Sequence, residues 1–216
     1  MRDYTAGKPW MVAKQRMILK TAYQLFSEKG IMPVSMQDVA AASGVGRATV
    51  FRYFSSKLDL VVAIGAWKWE EYIAAYGASI SKDALSGMTA AQYLGFYLDS
   101  FLDLYRNHPD ILRFNYNFNS YLHYEEIDEE RKRPYTQIVD ELKEKFHGLY
   151  ARGQRDGTLD TRILEAVMFS STFHIMLAAV TRYAVGLVYL LEKSGDPEGE
   201  LVLLKDMLLK QFTKQE

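Results

Sequence analysis

Residues 35–57 contain the side chains whose types and spacing are best suited to binding a polyanion. The segment reads SMQDVAAASGVGRATVFRYFSSK. Three cationic residues, Arg47, Arg52 and Lys57, alternate here with the hydroxyl-bearing Thr49 and Tyr53. Such groups donate hydrogen bonds to phosphate oxygens, and arginine can also make a bidentate contact with guanine. The segment therefore predicts a nucleic-acid-binding surface.

The same segment has the spacing of a helix-turn-helix unit, which would position these side chains. Ser35 can cap a short helix, and Asp38 can reach back to the Ser35 amide as a capping box. Gly44 can adopt the positive φ that the turn requires, and a second short helix fits residues 46–54. Three valines would hold the two helices together, namely Val39, Val45 and Val50.

The second helix of such a unit enters the major groove of DNA by its N-terminal end. Gly46, Arg47, Ala48 and Thr49 would lie nearest the base edges, and Arg47 alone among them can make a bidentate contact. Phe51 and Ala48 could pack on a thymine methyl group. Phosphate contacts are expected from Thr49, Tyr53, Lys57 and the capped helix N-terminus at Ser35. The alternative is an ordinary helical hairpin with solvated cations.

The remaining chain also favours helices, since no region shows sustained period-two alternation. A first helix is predicted over residues 11–28, where Ile18, Ala22, Leu25 and Phe26 share one face. Later helices are predicted over 56–79, 89–106, 110–121, 129–153 with a disturbance at Pro134, 161–191 and 198–214. We therefore expect an all-α protein with a small three-helix N-terminal domain (1–56) and a larger helical domain (57–216).

Composition and charge limit the classes of protein that fit. The 216 residues contain no cysteine, which excludes disulfides and thiolate chemistry. Residues 1–57 carry a net charge of +6 and the remainder −7, so a basic head precedes an acidic body. The start of the chain lacks a signal-peptide pattern, and the uncharged run 166–181 is shorter than a membrane span. A cytoplasmic protein without a membrane partner is the expectation.

The first 60 residues resemble the DNA-binding domain of the TetR family of bacterial repressors. The resemblance is carried by Ile18-Leu19, Ala22, Leu25-Phe26, Gly30, Ser35-Met36-x-Asp38-Val39-Ala40, Gly44-Val45, Thr49-Val50-Phe51-Arg52-Tyr53-Phe54 and Ser56-Lys57. It implies that Ser35, Arg47, Ala48, Thr49, Phe51, Arg52, Tyr53 and Lys57 approach DNA. Phe51 departs from the pattern, because a tyrosine is common there in the family, and a phosphate hydrogen bond is lost.

The resemblance also implies a homodimer formed by the last two helices. Two apolar stripes in the sequence are compatible with such pairing. The first contains Leu164, Val167, Met168, Ser171, Ile175, Ala178 and Ala179, and the second Leu201, Leu204, Leu208 and Phe212. Burial in the core of the body is the alternative for both stripes. A dimer would read a pseudo-palindromic operator in double-stranded DNA.

A small-molecule effector is the last expectation, and the body is rich in aromatic residues that could line its pocket. The candidates are Tyr93, Tyr97, Phe101, Phe114, Phe118 and His174. A lipophilic ligand is expected, although an ordinary aromatic core would give the same pattern. The helix from Ser56 would couple the ligand to the DNA-binding head.

Enzymes and metal proteins are not expected. The four histidines show no metal-ligand spacing, and the sequence has no phosphate-binding glycine loop or nucleophile elbow. No catalytic residue, cofactor or metal ligand is therefore assigned. The remaining alternative to a ligand-controlled regulator is an architectural DNA-binding protein with the same head and no effector.

Overall fold

The computed structural model describes residues 9–125, 127–188 and 196–214, which form ten helices and no sheet. The predicted all-α class is confirmed. The helices are α1 (Pro9–Lys29), α2 (Met36–Ala42), α3 (Arg47–Tyr53), α4 (Lys57–Gly77), α5 (Lys82–Gly87), α6 (Ala90–Asn107), α7 (Pro109–Tyr124), α8 (Glu129–Asp156), α9 (Glu165–Ala184) and α10 (Pro197–Phe212).

The described helices pack as two compact units. Unit 1 comprises residues 1–72 and 113–138, and unit 2 comprises residues 73–112 and 139–216. Parts of α4, α7 and α8 thus pack with the N-terminal helices. These compact units do not test the predicted functional boundary after residue 56, which stays a prediction.

Unit 1 is built around an apolar core to which the predicted face of α1 contributes. Ile18, Ala22 and Phe26 are fully buried there, together with Val39 and Val50 of the two short helices. Later helices complete this core, since Phe114 and Phe118 of α7 belong to the same cluster. Burial of this apolar surface is the main force that holds the short helices α2 and α3 in place.

Unit 2 has its own core, formed chiefly where α6, α9 and α10 pack on one another. Its buried side chains include Leu94, Leu98 and Leu102 of α6 and Met176 of α9. Two ion pairs connect α6 to α10: Asp99 with Lys205 at 2.9 Å and Arg106 with Glu198 at 2.7 Å. Asp99 and Arg106 of α6 are therefore paired with charged residues of a neighbouring helix.

The helix predicted over 161–191 is shorter in the structure, which is a correction. It begins after Leu164 and ends at Ala184, and residues 189–191 lie outside the described residues. Gly186 has φ 74°, and the amides of Gly186 and Leu187 donate to the carbonyls of Tyr183 and Arg182. This arrangement is a Schellman motif, which ends a helix because its glycine takes the left-handed conformation.

Two further differences concern α5 and α8. The short helix α5 was not predicted, and it is capped by the Ser81 hydroxyl, which accepts from the Ala84 amide at 3.1 Å. Pro134 lies inside α8, which nevertheless runs unbroken from Glu129 to Asp156. The proline is the sixth residue of the helix, so the one helical hydrogen bond that it removes is the bond that an amide at this position would make to the Glu130 carbonyl.

No helix within the described ranges combines the length and the apolar character needed to cross a bilayer.

Candidate nucleic-acid interface

The capping box predicted at the start of α2 is confirmed. The Asp38 amide donates to Ser35 Oγ at 3.2 Å, and the Ser35 amide donates to Asp38 Oδ2 at 2.8 Å. Ser35 Oγ also donates to the same carboxylate oxygen at 2.7 Å. Hydrogen bonds from the Ser35 side chain and backbone lower the pKa of Asp38. The Ser35 hydroxyl is therefore already engaged within its own helix terminus.

The turn between α2 and α3 orients the second helix. Gly44 has φ 64°, and the Val45 amide donates to the carbonyl of Ala40 at 3.1 Å. Val50 then points into the core of unit 1, whereas Gly46, Arg47 and Ala48 are exposed. The N-terminal end of α3 is thus presented to solvent, as reading a DNA groove requires.

Three cationic side chains of this region lie over aromatic rings. Arg47 Cζ is 5.2 Å from the centroid of Phe51, and Arg52 Cζ is 5.4 Å from that of Tyr53. Lys57 Nζ is 5.3 Å from that of Tyr121. Within the described residues, neither arginine forms an ion pair. A cation over a ring keeps its charge unneutralised, so the arginines remain able to bind phosphate or a base edge.

Lys57 and Tyr53 are more enclosed than the arginines. Lys57 Nζ donates to the Met32 carbonyl at 3.1 Å, and burial lowers the pKa of this lysine. The Tyr53 hydroxyl is buried with no hydrogen-bond partner in the described part of the chain. Tyr53 also lines a cavity of about 280 Å³ together with Asp59 and Arg131. A phosphate contact from Tyr53 therefore requires its side chain to move.

The nine residues predicted to approach DNA all lie on or beside α2 and α3, but they differ in accessibility. Thr49, Phe51, Tyr53 and Lys57 are half-buried. Phe51 and Tyr53 pack against the core of unit 1. The others are exposed, namely Ser35, Gly46, Arg47, Ala48 and Arg52.

The six residues predicted to line an effector pocket are not brought together in one unit. Phe114 and Phe118 stack in the core of unit 1, with ring centroids 5.9 Å apart. His174 is exposed on α9, and Tyr93 lies beneath the Arg152 guanidinium, 5.6 Å from its Cζ. Only Tyr97 and Phe101 meet in unit 2, with centroids 5.6 Å apart.

Sequence reasoning missed three aromatic residues that join this pair. The ring centroids of Tyr97 and Phe146 are 5.7 Å apart, and those of Phe146 and Phe169 are 5.4 Å apart. Phe169 stacks on Phe173 with a centroid distance of 5.9 Å. Phe173 contacts Phe101 at 6.1 Å, which closes a circuit of five rings. The four-residue steps from 97 to 101 and from 169 to 173 were the available signal, since they place each pair on one helix face.

The outward faces of α9 and α10 carry large apolar side chains. Leu164, the residue before α9, is 70% exposed, and Val167 and Ile175 of α9 are also exposed. On α10 the predicted stripe is largely core, because Leu201, Leu208 and Phe212 are buried. Leu203 and Met207, which the prediction omitted, are 61% and 60% exposed. We call these five exposed residues the α9–α10 apolar face.

A helix-turn-helix with exposed cations at the start of its second helix is the arrangement that defines the class of helix-turn-helix DNA-binding domains. Within that class, residues 18–64 match the family described as bacterial regulatory proteins, tetR family. The helix-turn-helix segment is therefore similar to that of TetR-family regulators, and the resemblance seen in the sequence is confirmed. A search of the curated proteins found no match.

Solved structures extend the likeness of fold to almost the whole chain. The fatty acid degradation regulator FadR from Bacillus halodurans aligns with TM-score 0.70 and 14% identity, covering 95% of this chain and 97% of its own. A TetR-family protein from Vibrio parahaemolyticus aligns with TM-score 0.67 and 20% identity, covering 94% and 100%. FadR from Bacillus subtilis, in complex with stearoyl-CoA, aligns with TM-score 0.68 and 16% identity, covering 90% and 97%. At these identities the likeness concerns the fold.

Proposed function

We propose that the protein is a repressor that binds a pseudo-palindromic operator as a homodimer and leaves it when a small apolar ligand binds unit 2. The observation that carries the proposal is the exposed N-terminal end of α3, with Arg47 held over Phe51 at 5.2 Å. Val50 anchors the opposite side of the helix in the core. A short helix fixed in this way can enter a major groove without reordering.

The residues of the proposed DNA site divide by role. Arg47 contacts a base edge, since its guanidinium is exposed and can make a bidentate pair with guanine. Arg52 and Thr49 bind phosphates from the same helix, and Ser35 supports α2 through its capping box. Lys57 adds a phosphate contact only in competition with the Met32 carbonyl. The net charge of +6 over residues 1–57 favours all of these contacts.

The proposed dimer forms through the α9–α10 apolar face. The five apolar side chains of this face are 42–70% exposed, which is costly in water, and pairing with a second copy would bury them. Two copies would place their α3 helices about 34 to 36 Å apart, one turn of DNA. This spacing is the reason for expecting a pseudo-palindromic operator.

Ligand control is proposed from the structural relatives and from the aromatic body. One relative of the same fold was solved with stearoyl-CoA and another, from Saccharomonospora viridis, with choline. A ligand acts only if it binds the DNA-competent dimer less well than another state, and coupling of about 1 to 3 kcal/mol is typical. We take α4 as the coupling element, because it contributes residues to both units.

The protein's location in the cell and its lack of a catalytic role complete the proposed function. A repressor works where the bacterial chromosome is, so we place the protein in the cytoplasm. The residues of unit 1 to which we assign a role all serve DNA binding, and we propose no enzymatic role, cofactor or metal for the chain.

The test is fluorescence anisotropy of the full-length protein on the DNA that flanks its own gene, across a salt series and against random competitor. We expect Arg47→Ala to lose about 1 to 3 kcal/mol of specific binding. Arg155→Ala is the matched control, since it removes another exposed arginine, near the end of α8 in unit 2. Equal effects of the two variants would contradict the assignment of Arg47.

An architectural DNA-binding protein is the second candidate, and the basic head favours it. Such a protein would bind with a steep salt dependence that neither the competitor sequence nor Arg47→Ala alters. Specific, Arg47-dependent binding rejects this candidate.

A further inference from the structure

Within the part of the chain that the structure describes, the circuit of five aromatic rings in unit 2 contains one hydroxyl without a hydrogen-bond partner, that of Tyr97, and a second such hydroxyl, that of Thr172, is a neighbour of Phe173 in sequence. The Tyr97 hydroxyl and the Thr172 hydroxyl are both buried, and neither has a hydrogen-bond partner among the described residues. Thr172 is fully buried one turn from Phe169, and it does not donate to a carbonyl of its own helix, as helical threonines commonly do. A buried hydroxyl without a partner costs about 1 to 3 kcal/mol.

The five rings come from three helices and meet largely edge to face. Four of the five contacts are T-shaped, and the fifth, between Phe169 and Phe173, is stacked. Aromatic rings present large apolar surfaces that can contact the apolar part of a ligand. Nothing charged belongs to the circuit, which consists of Tyr97, Phe101, Phe146, Phe169 and Phe173.

We propose that this circuit is the effector site and that it binds a neutral apolar molecule carrying one oxygen acceptor, to which the Tyr97 hydroxyl donates. The role as effector site rests on the function proposed above. A ketone, ester or similar group satisfies the buried donor, while the rings contact the rest of the molecule. A carboxylate is disfavoured because the circuit has no cation to pair with it. Burial raises the pKa of Tyr97, so its hydroxyl stays a donor at neutral pH.

Three probes of matched shape test the inference: acetophenone has the acceptor, ethylbenzene lacks it, and benzoate is charged. Calorimetric titration of the full-length protein should show acetophenone binding most tightly. Tyr97→Phe should weaken acetophenone about three- to tenfold, the value of one hydrogen bond, and leave ethylbenzene unchanged. Absence of acetophenone binding, or equal affinity in wild type and variant, would overturn the inference.

Tyr150→Phe is the control, since Tyr150 is a buried tyrosine of the same unit whose hydroxyl is satisfied. The single Tyr150 proton has two carbonyl acceptors within reach, that of Thr161 at 3.0 Å and that of Ile163 at 2.9 Å. Tyr150→Phe should lower the melting temperature and keep the preference for acetophenone. Tyr97→Phe should leave the melting temperature unchanged or raise it, because it removes an unsatisfied group. A marked fall in the melting temperature of Tyr97→Phe would indicate a structural role and contradict the proposal.

The repressor proposal is tested separately by operator binding without any probe. If Arg47-dependent operator binding is present and acetophenone does not bind, only the effector site is wrong. If acetophenone binds through Tyr97 but operator binding is absent, the ligand site stands and its role as an effector site is wrong.

Discussion

Phe51 supports Arg47 at the proposed DNA surface, although it cannot itself donate a hydrogen bond to a phosphate. A tyrosine at position 51 would add a phosphate donor, and phenylalanine lacks it. The phenylalanine ring still supports the Arg47 guanidinium at 5.2 Å and packs its other side on the core of unit 1. It therefore restricts the arginine to fewer conformations before DNA binds, which reduces the entropy lost on binding.

Substitutions at position 51 should separate these two effects. Phe51→Leu keeps an apolar side chain but removes the ring, and we expect operator affinity to fall about two- to fivefold, the value of an exposed cation–π contact. Phe51→Tyr should keep the contact and steepen the salt dependence by about one phosphate contact. Anisotropy measures both, and denaturation checks that Phe51→Leu remains folded. If Phe51→Leu weakens binding equally in the Arg47→Ala background, the ring does not act through Arg47.

At the scale of elements, the helix-turn-helix depends on local signals that each lie within a few residues of one another. The capping box joins Ser35 and Asp38, and the turn places Gly44 in the left-handed region with φ 64°. The start of α3 is weaker, since Gly46 offers no side chain to cap it. Gly44 therefore stabilises the helix-turn-helix, whereas Gly46 leaves the start of α3 without a side-chain cap.

Gly44→Ala and Gly46→Ser should have opposite effects on stability. A Cβ at either position meets no atom within 4 Å, so neither substitution causes a clash. Gly44→Ala must adopt a positive φ and should lower the free energy of unfolding by about 1 kcal/mol. Gly46→Ser supplies a capping hydroxyl and should raise it by a few tenths of a kcal/mol. Urea denaturation measures both. An unchanged midpoint for Gly44→Ala would show that the turn does not need this conformation.

Across the whole molecule, the regions proposed for DNA binding and for dimerisation differ in net charge and in exposed apolar surface. Residues 1–57 carry +6, whereas the remainder carries −7. The large exposed apolar side chains of α9 and α10 lie in the acidic part, in unit 2. Binding to a polyanion and binding to a second copy would then use different parts of the chain.

A charge placed in the α9–α10 apolar face should separate the proposed dimer. In Leu203→Glu the carboxylate would be buried without a partner on dimerisation, which should raise the dimer dissociation constant roughly a hundredfold or more. The fold should survive, because Leu203 is 61% exposed within the protomer. Sedimentation equilibrium measures the change, and circular dichroism checks helicity.

Tyr124→Glu is the control for this experiment, since Tyr124 is 75% exposed at the end of α7 and lies in unit 1. It should leave the dimer intact. A Leu203→Glu protein that dimerises as tightly as the wild type would place the interface on another surface.

Features whose partners are neighbours along the chain could be predicted from the amino-acid sequence alone. The helix-turn-helix, its capping box and its turn glycine follow from spacings of three to nine residues, and helical hydrogen bonding is local in the same way. The face of α1 was predictable because its apolar stripe has a single orientation. These local signals also placed the nine candidate DNA-binding residues on one supersecondary unit.

Features that join residues distant in sequence depend on how the helices pack. Helices α9 and α10 are apolar on more than one side, so periodicity alone could not separate the buried Leu201 from the exposed Leu203. Tyr97 and Phe146 lie 49 positions apart, and only the packing of α6 against α8 brings their rings to 5.7 Å. Whether a hydroxyl such as that of Tyr97 finds a partner likewise depends on which helices surround it. The chemistry of each side chain follows from its residue type, whereas the packing of helices distant in sequence determines which side chains lie close enough to act together.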